Sequence, residues 1–512
     1  MAHVSRRDFL NLTGAFSAGL ALNRLREFLP IHSRREAGKP NILIILFDAM
    51  SGPHLSVNGY ASPTTPQMER FASHANIYHS HYSGGNFTTP GTASLLTGRL
   101  PWKHRAINLG SLVRRDLKND NLFSAIGSGY HRLGFAQNIW ADLFLRQFDG
   151  HLDERLPFRS FSLKSKTPML GELFAGDSDV AYMAFDEYLL TTHFVNPVPG
   201  SLSLGHLNLL YGRAVDAMGQ PQPEMPYGLP FNSFYYFDNQ QVFPSVGRTV
   251  QRLHNESTPF FAYFHLFSPH MPYCPTSKFA GALPEVKVAY KPHHPLASHV
   301  KFQTMVDDST RYDEYIAAVD DELGRLLDAL ERDGVFEDTY VILTSDHGEI
   351  FERGDSGHAT PLLFERIIKI PLLVSSPGQA ERRDYYAPTS NTDLLPTLAG
   401  LAGQAIPQGL DGRPLPGLGG ADERDRSIFS VEAKSSYAFQ PLNMVTVSMI
   451  QGNMKLVFYK GYEKYNNVFE LYDLEDDPEE KKNLWPDSSA SASRMKAELL
   501  DALADADRPY QR

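Results

Sequence analysis

Apolar residues fall along this chain in two rhythms. Unbroken apolar runs at N-I-L-I-I-L-F after Pro40, at Pro259 to Phe264, at Tyr340 to Thr344 and at Ile370 to Val374 predict strands buried on both faces of a parallel sheet. Between them, Ile316, Val319, Leu323, Leu326, Leu327 and Leu330 recur at spacings of three and four and predict one apolar helix face over Arg311 to Asp333, closed by Gly334. Pro66 to Ala75 reads as a shorter helix. Strands alternating with helices predict an α/β domain with a doubly wound, mostly parallel sheet flanked by helices. From about 426 the rhythm changes. Ser427 to Val431, Met444 to Ile450, Lys455 to Tyr459 and Phe469 to Leu474 predict a smaller antiparallel sheet beside a final helix from Ser491 to Ala504. The expected partition is therefore 1–39 as leader and linker, 40–425 as the main domain and 426–512 as a C-terminal α+β subdomain. The stretch 150–255, rich in Pro, Tyr and Phe, shows little periodicity and is expected to be an insertion shaping a pocket.

One segment joins a turn to a helix start: N-F-T-T-P-G-T-A-S-L-L-T-G-R, from Asn86 to Arg99. Thr88 or Thr89 would cap it, Pro90 suits its first helical position and Gly98 its end. A hydroxyl at such a start sits where backbone N–H groups and the helix dipole favour an anion.

Composition changes this picture little. The hydrophobic fraction of 42% and charged fraction of 21% are those of an ordinary globular protein. A net charge of -11 with no basic run in the body argues against a nucleic-acid partner. The single cysteine, Cys274, excludes an intramolecular disulfide and a four-thiolate zinc site, so any metal must rest mainly on O and N ligands. At the N-terminus, S-R-R-D-F-L at Ser5 to Leu10 with a weakly apolar run to Leu22 resembles a twin-arginine export signal, which implies the twin-arginine machinery as a partner and a periplasmic or exported protein. No clean cleavage site follows the run, and an uncleaved leader would anchor the chain at the membrane.

Three separated pieces supply hard ligands at predicted strand ends or a helix start: Asp48, Asp346 with His347, and the Thr88 hydroxyl. A carboxylate at the C-terminal end of a strand stands where open α/β sheets bind ligands. Mixed carboxylate, imidazole and hydroxyl ligation suits a divalent cation, Zn²⁺ or Mn²⁺ ahead of Ca²⁺ or Mg²⁺ because of the imidazole.

In order along the chain stand N-I-L-I-I-L-F-D with N-G-Y and P-T-T-P, then L-L-T-G-R, F-H-L-F-S-P-H-M-P-Y and Y-D-E-Y-I-A-A-V-D-D-E-L-G-R-L-L. They are followed by T-S-D-H-G-E, F-E-R-I-I-K-I-P-L-L-V-S-S-P-G, D-L-L-P-T-L-A-G-L-A-G with G-L-D-G-R-P-L, and L-Y-D-L-E-D-D-P-E-E-K-K-N-L. With these pieces, over most of 40 to 485, the chain resembles the sulfatase family of the alkaline-phosphatase superfamily. The resemblance implies that His270, after S-P, and His358, in G-H-A-T-P, meet the substrate oxyanion or protonate the leaving group. It leaves His265 to orient its neighbours, makes Asn86 and His54 weaker substrate-side candidates, and gives Arg99 the helix end.

The departures carry as much meaning. Family sulfatases have Cys or Ser in a C/S-x-P-S-R motif, oxidised to formylglycine, and here Thr88-Thr89-Pro90-Gly91-Thr92 stands instead. The motif's arginine is replaced by Thr92, Asp48 is followed by Ala49 rather than a second aspartate, and Asp346-His347 replaces the usual Asp-Asn. Threonine cannot become the aldehyde hydrate. Thr88 with Asp-His resembles instead the phosphorus-handling branches: phosphodiesterases, phosphonate monoester hydrolases, and phosphoglycerol or phosphoethanolamine transferases. The expectation is a metal-dependent hydrolase of small-molecule, lipid or glycan esters of phosphate or phosphonate with Thr88 as nucleophile. The alternatives are a true sulfatase, a transferase using an acceptor hydroxyl, or a non-catalytic binder of anionic glycans or lipids.

Overall fold

The computed structural model describes residues 38–165, 213–232, 235–284, 289–487 and 489–511. The expected export signal and the middle of the 150–255 stretch lie outside the described residues. The main sheet has eight strands: β1 Asn41–Phe47, β2 Asn76–Tyr78, β3 His131–Ala136, β4 Glu154–Arg155, β5 Phe260–Leu266, β6 Thr339–Ser345, β7 Leu372–Ser375 and β8 Arg383–Tyr385. Their spatial order is β8-β2-β7-β6-β1-β5-β3-β4. Every neighbour pair is parallel except those of β7, which runs against both β6 and β2. The expected mostly parallel sheet is thus present. An apolar run predicts the strand β7 but carries no direction, so its reversal emerges only in the fold.

β1 shows why its run is continuous. Leu43, Ile45 and Phe47 enter one core, with Phe243, Val246, Ile316 and Leu323. Ile42, Ile44 and Leu46 enter the other, with Ala93, Leu96, Phe144 and Leu398. Burying each such side chain is worth about 1.5–3 kcal/mol, and the strand's one polar residue, Asn41 at its start, is buried with its side chain hydrogen-bonded to Asp338 and to Phe260 N–H. The first core is roofed by the helices Asn239–His254 and Phe302–Arg332, the second by Thr88–Thr97, Ile139–Gln147 and Leu394–Leu401.

Two helices depart from expectation. The long one starts at Phe302 rather than Arg311, because its first turns are mostly polar and send inward only Phe302, Met305 and Ser309, too few apolar positions to show a stripe. The helix Asn239–His254, inside the stretch expected to be aperiodic, does bury a stripe of Val242, Phe243, Val246, Val250 and Leu253. Pro244 within it and a polar opening masked that stripe.

The C-terminal strands Ser427–Glu432, Val445–Gln451, Met454–Lys460 and Val468–Asp473 form an antiparallel meander. One face packs on the helix Ala490–Asp507 through Met495, Leu499 and Leu503. The other meets Leu362, Phe364 and Ile367. Ser430 Oγ donates to Ser83 O at 2.6 Å and Val431 N–H to Gly84 O at 2.8 Å, stitching this sheet to the loop before Thr88. Lys455, fully buried, pairs with Glu365 at 3.1 Å and Glu480 at 2.7 Å. Residues 39–512 form one compact unit, and among the described residues no helix is long and apolar enough to cross a membrane.

Gly91 sets how closely the helix Thr88–Thr97 approaches β6. A Cβ there would lie 2.3 Å from the Asp346 carbonyl oxygen, which also accepts from Ser83 Oγ. Gly to Ala inside a helix normally gains about 1 kcal/mol. Here Gly91→Ala is expected to destabilise by about 1–3 kcal/mol, because the backbone must move. Urea unfolding, with the denaturation midpoint falling, checks this.

Candidate functional site

Four adjacent parallel strands, in the order β6-β1-β5-β3, end at one level: Phe47 is paired with both Leu266 and Ser345, and Ala136 with His265. The residues that follow or close these strands therefore meet by construction. Asp48 follows β1, Asp346 and His347 follow β6, His265 points in from the end of β5, and Asn138 follows β3. Asp48, Asp346, His265 and His347 are fully buried.

The donor atoms cluster. His265 Nε2 lies 3.3 Å from Asp48 Oδ2 and 3.7 Å from Asp346 Oδ2; His347 Nε2 lies 3.4 Å from Asp48 Oδ1 and 3.6 Å from Asp346 Oδ2. Tetrahedral ligands at about 2.1 Å from one ion would stand about 3.4 Å apart, so these separations fit a shared cation. Asp48 Oδ1 is buried with no hydrogen bond. An unpaired oxygen of a buried carboxylate is costly, and a cation would remove that cost. His265, expected only to orient its neighbours on the substrate side, instead belongs to this group: Asp48, His265 and Asp346 place ligand atoms within 4.8 Å of one another. The Tyr263 hydroxyl, 3.1 Å from His265 Nδ1, leaves Nε2 for the carboxylates. His347 Nδ1 is likewise occupied by Gly348 O at 2.9 Å. Asp346 Oδ1 accepts from the Ala49 and His347 amides at 3.2 and 3.0 Å.

Thr88 is not the cap of its helix but its first residue. The cap position is Phe87, which offers no side-chain bond, and Pro90 falls third rather than first. Gly98 ends the helix in the left-handed region, as its position suggested. Released from capping, Thr88 Oγ1 stands 3.5 Å from His347 Nε2 and accepts from Asn138 Nδ2 at 3.2 Å. Thr89 Oγ1 instead accepts from Gly110 N–H.

Asn138 is the residue that sequence reasoning missed. Its Oδ1 accepts from Trp140 N–H, capping the helix Ile139–Gln147, and this bond fixes which end of the amide is which. Nδ2 must then face Asp48 Oδ2, at 2.6 Å, and Thr88. The readable signal was an Asn after the apolar G-F-A of β3, at a helix start.

The cavity above Thr88, of about 100 Å³, is lined by His270 and His358 among others. His270 gives Nδ1 to Met271 O at 2.7 Å and packs on Phe267. His358 gives Nδ1 to Glu349 Oε1 at 2.6 Å and packs on both His347 and His270. Each keeps Nε2 for a ligand. Asn86 lies behind this wall, donating to Thr360 O at 2.7 Å and His358 O at 3.3 Å, so it positions the His358 segment rather than lining the cavity. His54 is not brought to the site with a free nitrogen. Asp313 takes its Nδ1 at 2.6 Å and Arg366 its Nε2 at 2.9 Å, so its substrate-side assignment is withdrawn. Arg99 donates to Thr97 O and Gln408 O and ties down the helix end. Cys274 is buried, and burial pushes its thiol up to about 12, which makes it inert.

Charge within the cluster is unequal. Burial would raise Asp48, but His270, His265 and His347 hold its carboxyl well below the usual range. Burial, and then the Asp48 charge, push Asp346 upward. Burial would lower His347, yet the two carboxylates raise it to about 9. In metal-free protein this raised value contributes stability below the unfolded value near 6.5, lost as pH rises through about 9. A cation must displace that proton. Loading with Zn²⁺ or Mn²⁺ at pH 7.5 is therefore expected to release about one proton per ion, with affinity rising toward pH 9. Calorimetry in buffers of different ionisation enthalpy counts it; zero protons released would remove His347 from the ligand set.

A family model described as Sulfatase matches residues 40–404, and one described as N-sulphoglucosamine sulphohydrolase, C-terminal, matches 358–507. A choline-sulfatase of Rhizobium meliloti (strain 1021) is 24% identical over 486 residues, covering 87% of this chain and 82% of its own length. The multifunctional alkaline phosphatase superfamily protein PehA of Trinickia caryophylli is 24% identical over 511 residues, covering 89% and 93%. Among solved structures, the phosphonate monoester hydrolase of Agrobacterium radiobacter shares the fold with a TM-score of 0.65 at 22% identity, over 91% of this chain and 96% of that one. With a family match that runs through the strands delivering Asp48, His265 and Asp346, this chain belongs to the sulfatase family and is an ester hydrolase of that superfamily.

Proposed function

We propose that the protein hydrolyses phosphate or phosphonate esters, using Thr88 as the nucleophile beside a divalent cation held by Asp48, His265, Asp346 and His347. The observation that carries this reading is the Thr88 hydroxyl at the first position of its helix, 3.5 Å from His347 Nε2 and held by Asn138, with no cysteine or serine in its place. Oxidising a secondary alcohol gives a ketone, not the aldehyde whose hydrate expels sulfate. A phosphoryl group needs no such aldehyde, since water can attack phosphorus in the covalent intermediate. When bound, the cation neutralises the buried carboxylates, lowers the pKa of a neighbouring hydroxyl and stabilises charge on the phosphoryl oxygens.

The protein's own groups supply the rest. Asn138 Nδ2 holds Thr88 Oγ1 in line with the cavity. Thr88 gives its hydroxyl proton to water in the cavity, the bond from Oγ1 to phosphorus forms as the ester P–O bond breaks, and the departing oxygen takes a proton from Nε2 of His358. Glu349 at Nδ1 fixes the orientation of that ring. The same Nε2 then takes a proton from the water that cleaves phosphothreonine, and the released Oγ1 regains its proton from water. His270, across the ring contact from His358, faces the phosphoryl oxygens. The sulfate-ester alternative draws on the names of relatives such as the choline-sulfatase.

A panel of sulfate monoesters, phosphate monoesters, phosphodiesters and phosphonates, run with added Mn²⁺ or Zn²⁺, separates the two. Phosphorus esters are expected to dominate, and Thr88→Ala to lose at least about 10³-fold in kcat. Dominant sulfate-ester turnover, or full activity of Thr88→Ala, would sink the proposal. We further propose that Ser5 to Leu22 directs twin-arginine export. Replacing Arg6 and Arg7 by Lys is expected to leave the protein in the cytoplasm of a bacterial host, as read by fractionation; unchanged periplasmic delivery removes this assignment.

A further inference from the structure

The cavity over Thr88 has a polar floor and an apolar wall. Phe87, Leu109, Ile139, Trp140 and Phe267 make up the wall, and no Lys, Arg, Asp or Glu lines it among the described residues. Lys434 comes near the mouth, but its ammonium donates to Ala359 O at 3.2 Å and sits 5.9 Å over the Phe87 ring.

The wall is built into the same elements as the reacting hydroxyl. The helix Ile139–Gln147 starts directly after Asn138, so the cap that aims Nδ2 at Thr88 also sets Ile139 and Trp140 beside it. Gly110, at φ 70°, lets the loop carrying Leu109 lie flat on the Trp140 indole, where a Cβ would come within 2.7 Å of the ring. Gly110 N–H bonds Thr89 Oγ1, and the Asn108 amide donates to Lys434 O and Ser436 O at 2.8 and 2.9 Å, so the loop is fixed at both ends. Large apolar side chains at or next to lining residues are exposed: Leu109, in the lining, is 60% exposed, and Met271, directly after His270, is 50%. Exposed apolar groups gathered round one cavity mark a surface that a ligand covers.

We infer that the ester accepted at Thr88 carries an apolar substituent, aromatic or branched alkyl, which lies against Ile139, Trp140 and Phe267 and is covered by Leu109 and Met271. A sugar or multiply charged substituent would place hydroxyls or charges against Phe87, Leu109, Ile139 and Phe267, which cannot pair with them. This inference rests on the Thr88 ester reading and adds the substrate class to it. Free aryl esters and amphiphiles share the required chemistry.

The test compares phenyl, isobutyl, octyl, glyceryl and glucosyl esters of one acid on the full-length protein. Phenyl and isobutyl esters are expected to exceed glyceryl and glucosyl esters by at least about tenfold in kcat/KM. The double variant Leu109→Asn, Met271→Asn is expected to cut the phenyl-to-glyceryl ratio by at least about threefold, mainly through KM. Both positions are solvent-facing, and matching melting curves check that the variant is folded. A wild-type ratio at or below one, or a ratio unchanged in the folded variant, overturns the inference. Dispersed octyl ester ahead of phenyl ester assigns an amphiphile as the source, and the reverse assigns a soluble aryl ester; both uphold the apolar site. Turnover of sulfate esters alone with the apolar preference intact would remove the phosphoryl reading and leave this one standing. Thr88-dependent phosphoryl turnover with no apolar preference would do the opposite.

Discussion

The constraint on which the rest of this structure depends is electrostatic: Asp48 and Asp346 are both fully buried with oxygens a few ångströms apart. Two buried carboxylates repel. The fold answers with two imidazoles, a side-chain amide and two backbone N–H groups, all supplied by the ends of four neighbouring parallel strands and their first following residues. Even so, one oxygen of Asp48 has only the 3.4 Å contact with His347 and no hydrogen bond, and that remainder is what a divalent cation would complete. The helix bearing Thr88 could not approach this centre with any side chain at position 91, because the Asp346 carbonyl fills that space.

Above this charged floor no Lys, Arg, Asp or Glu lines the cavity among the described residues. The polar groups that reach the cavity, Thr88, Asn138, His270 and His358 among them, thus stand apart from the apolar wall of Ile139, Trp140 and Phe267. Such a division separates the ester chemistry from the choice of substituent, since Ile139 and Trp140 are not among the clustered ligand-type residues. The one device common to both is the Asn138 cap, which serves the helix backbone with its oxygen and the Thr88 hydroxyl with its nitrogen.

How much of this could be read beforehand depended on burial symmetry. β1 and β6 were legible because both faces are buried, which writes an unbroken apolar run, and Asp48 and Asp346 follow those runs directly. β3 was not, since it opens on the half-exposed His131 and Arg132 and contains Gly134; with the strand unseen, Asn138 had no strand end to mark it. His265 was placed on the right strand yet given the wrong partners, because which face of a strand a ring joins depends on the neighbouring strands. His54 follows Asp48 closely in sequence, but the short turn Gly52–His54 carries it to Asp313 and Arg366. The two threonines before Pro90 suit a cap by composition, and only the backbone reveals that Phe87 takes that place.

The stitches between the C-terminal strand Ser427–Glu432 and the loop at Ser83 and Gly84 bear on the order in which the enzyme comes into being. Asp48 and Thr88 leave the ribosome early, His265 and Asp346 well after, and the strand that braces the loop just ahead of Thr88 later still. A nascent chain can therefore assemble the central strands and gather the acidic centre while the segment before Thr88 lacks its backing. Catalytic competence arrives with the final stretch of synthesis, so an incomplete chain carries the acidic centre without a finished means of using it.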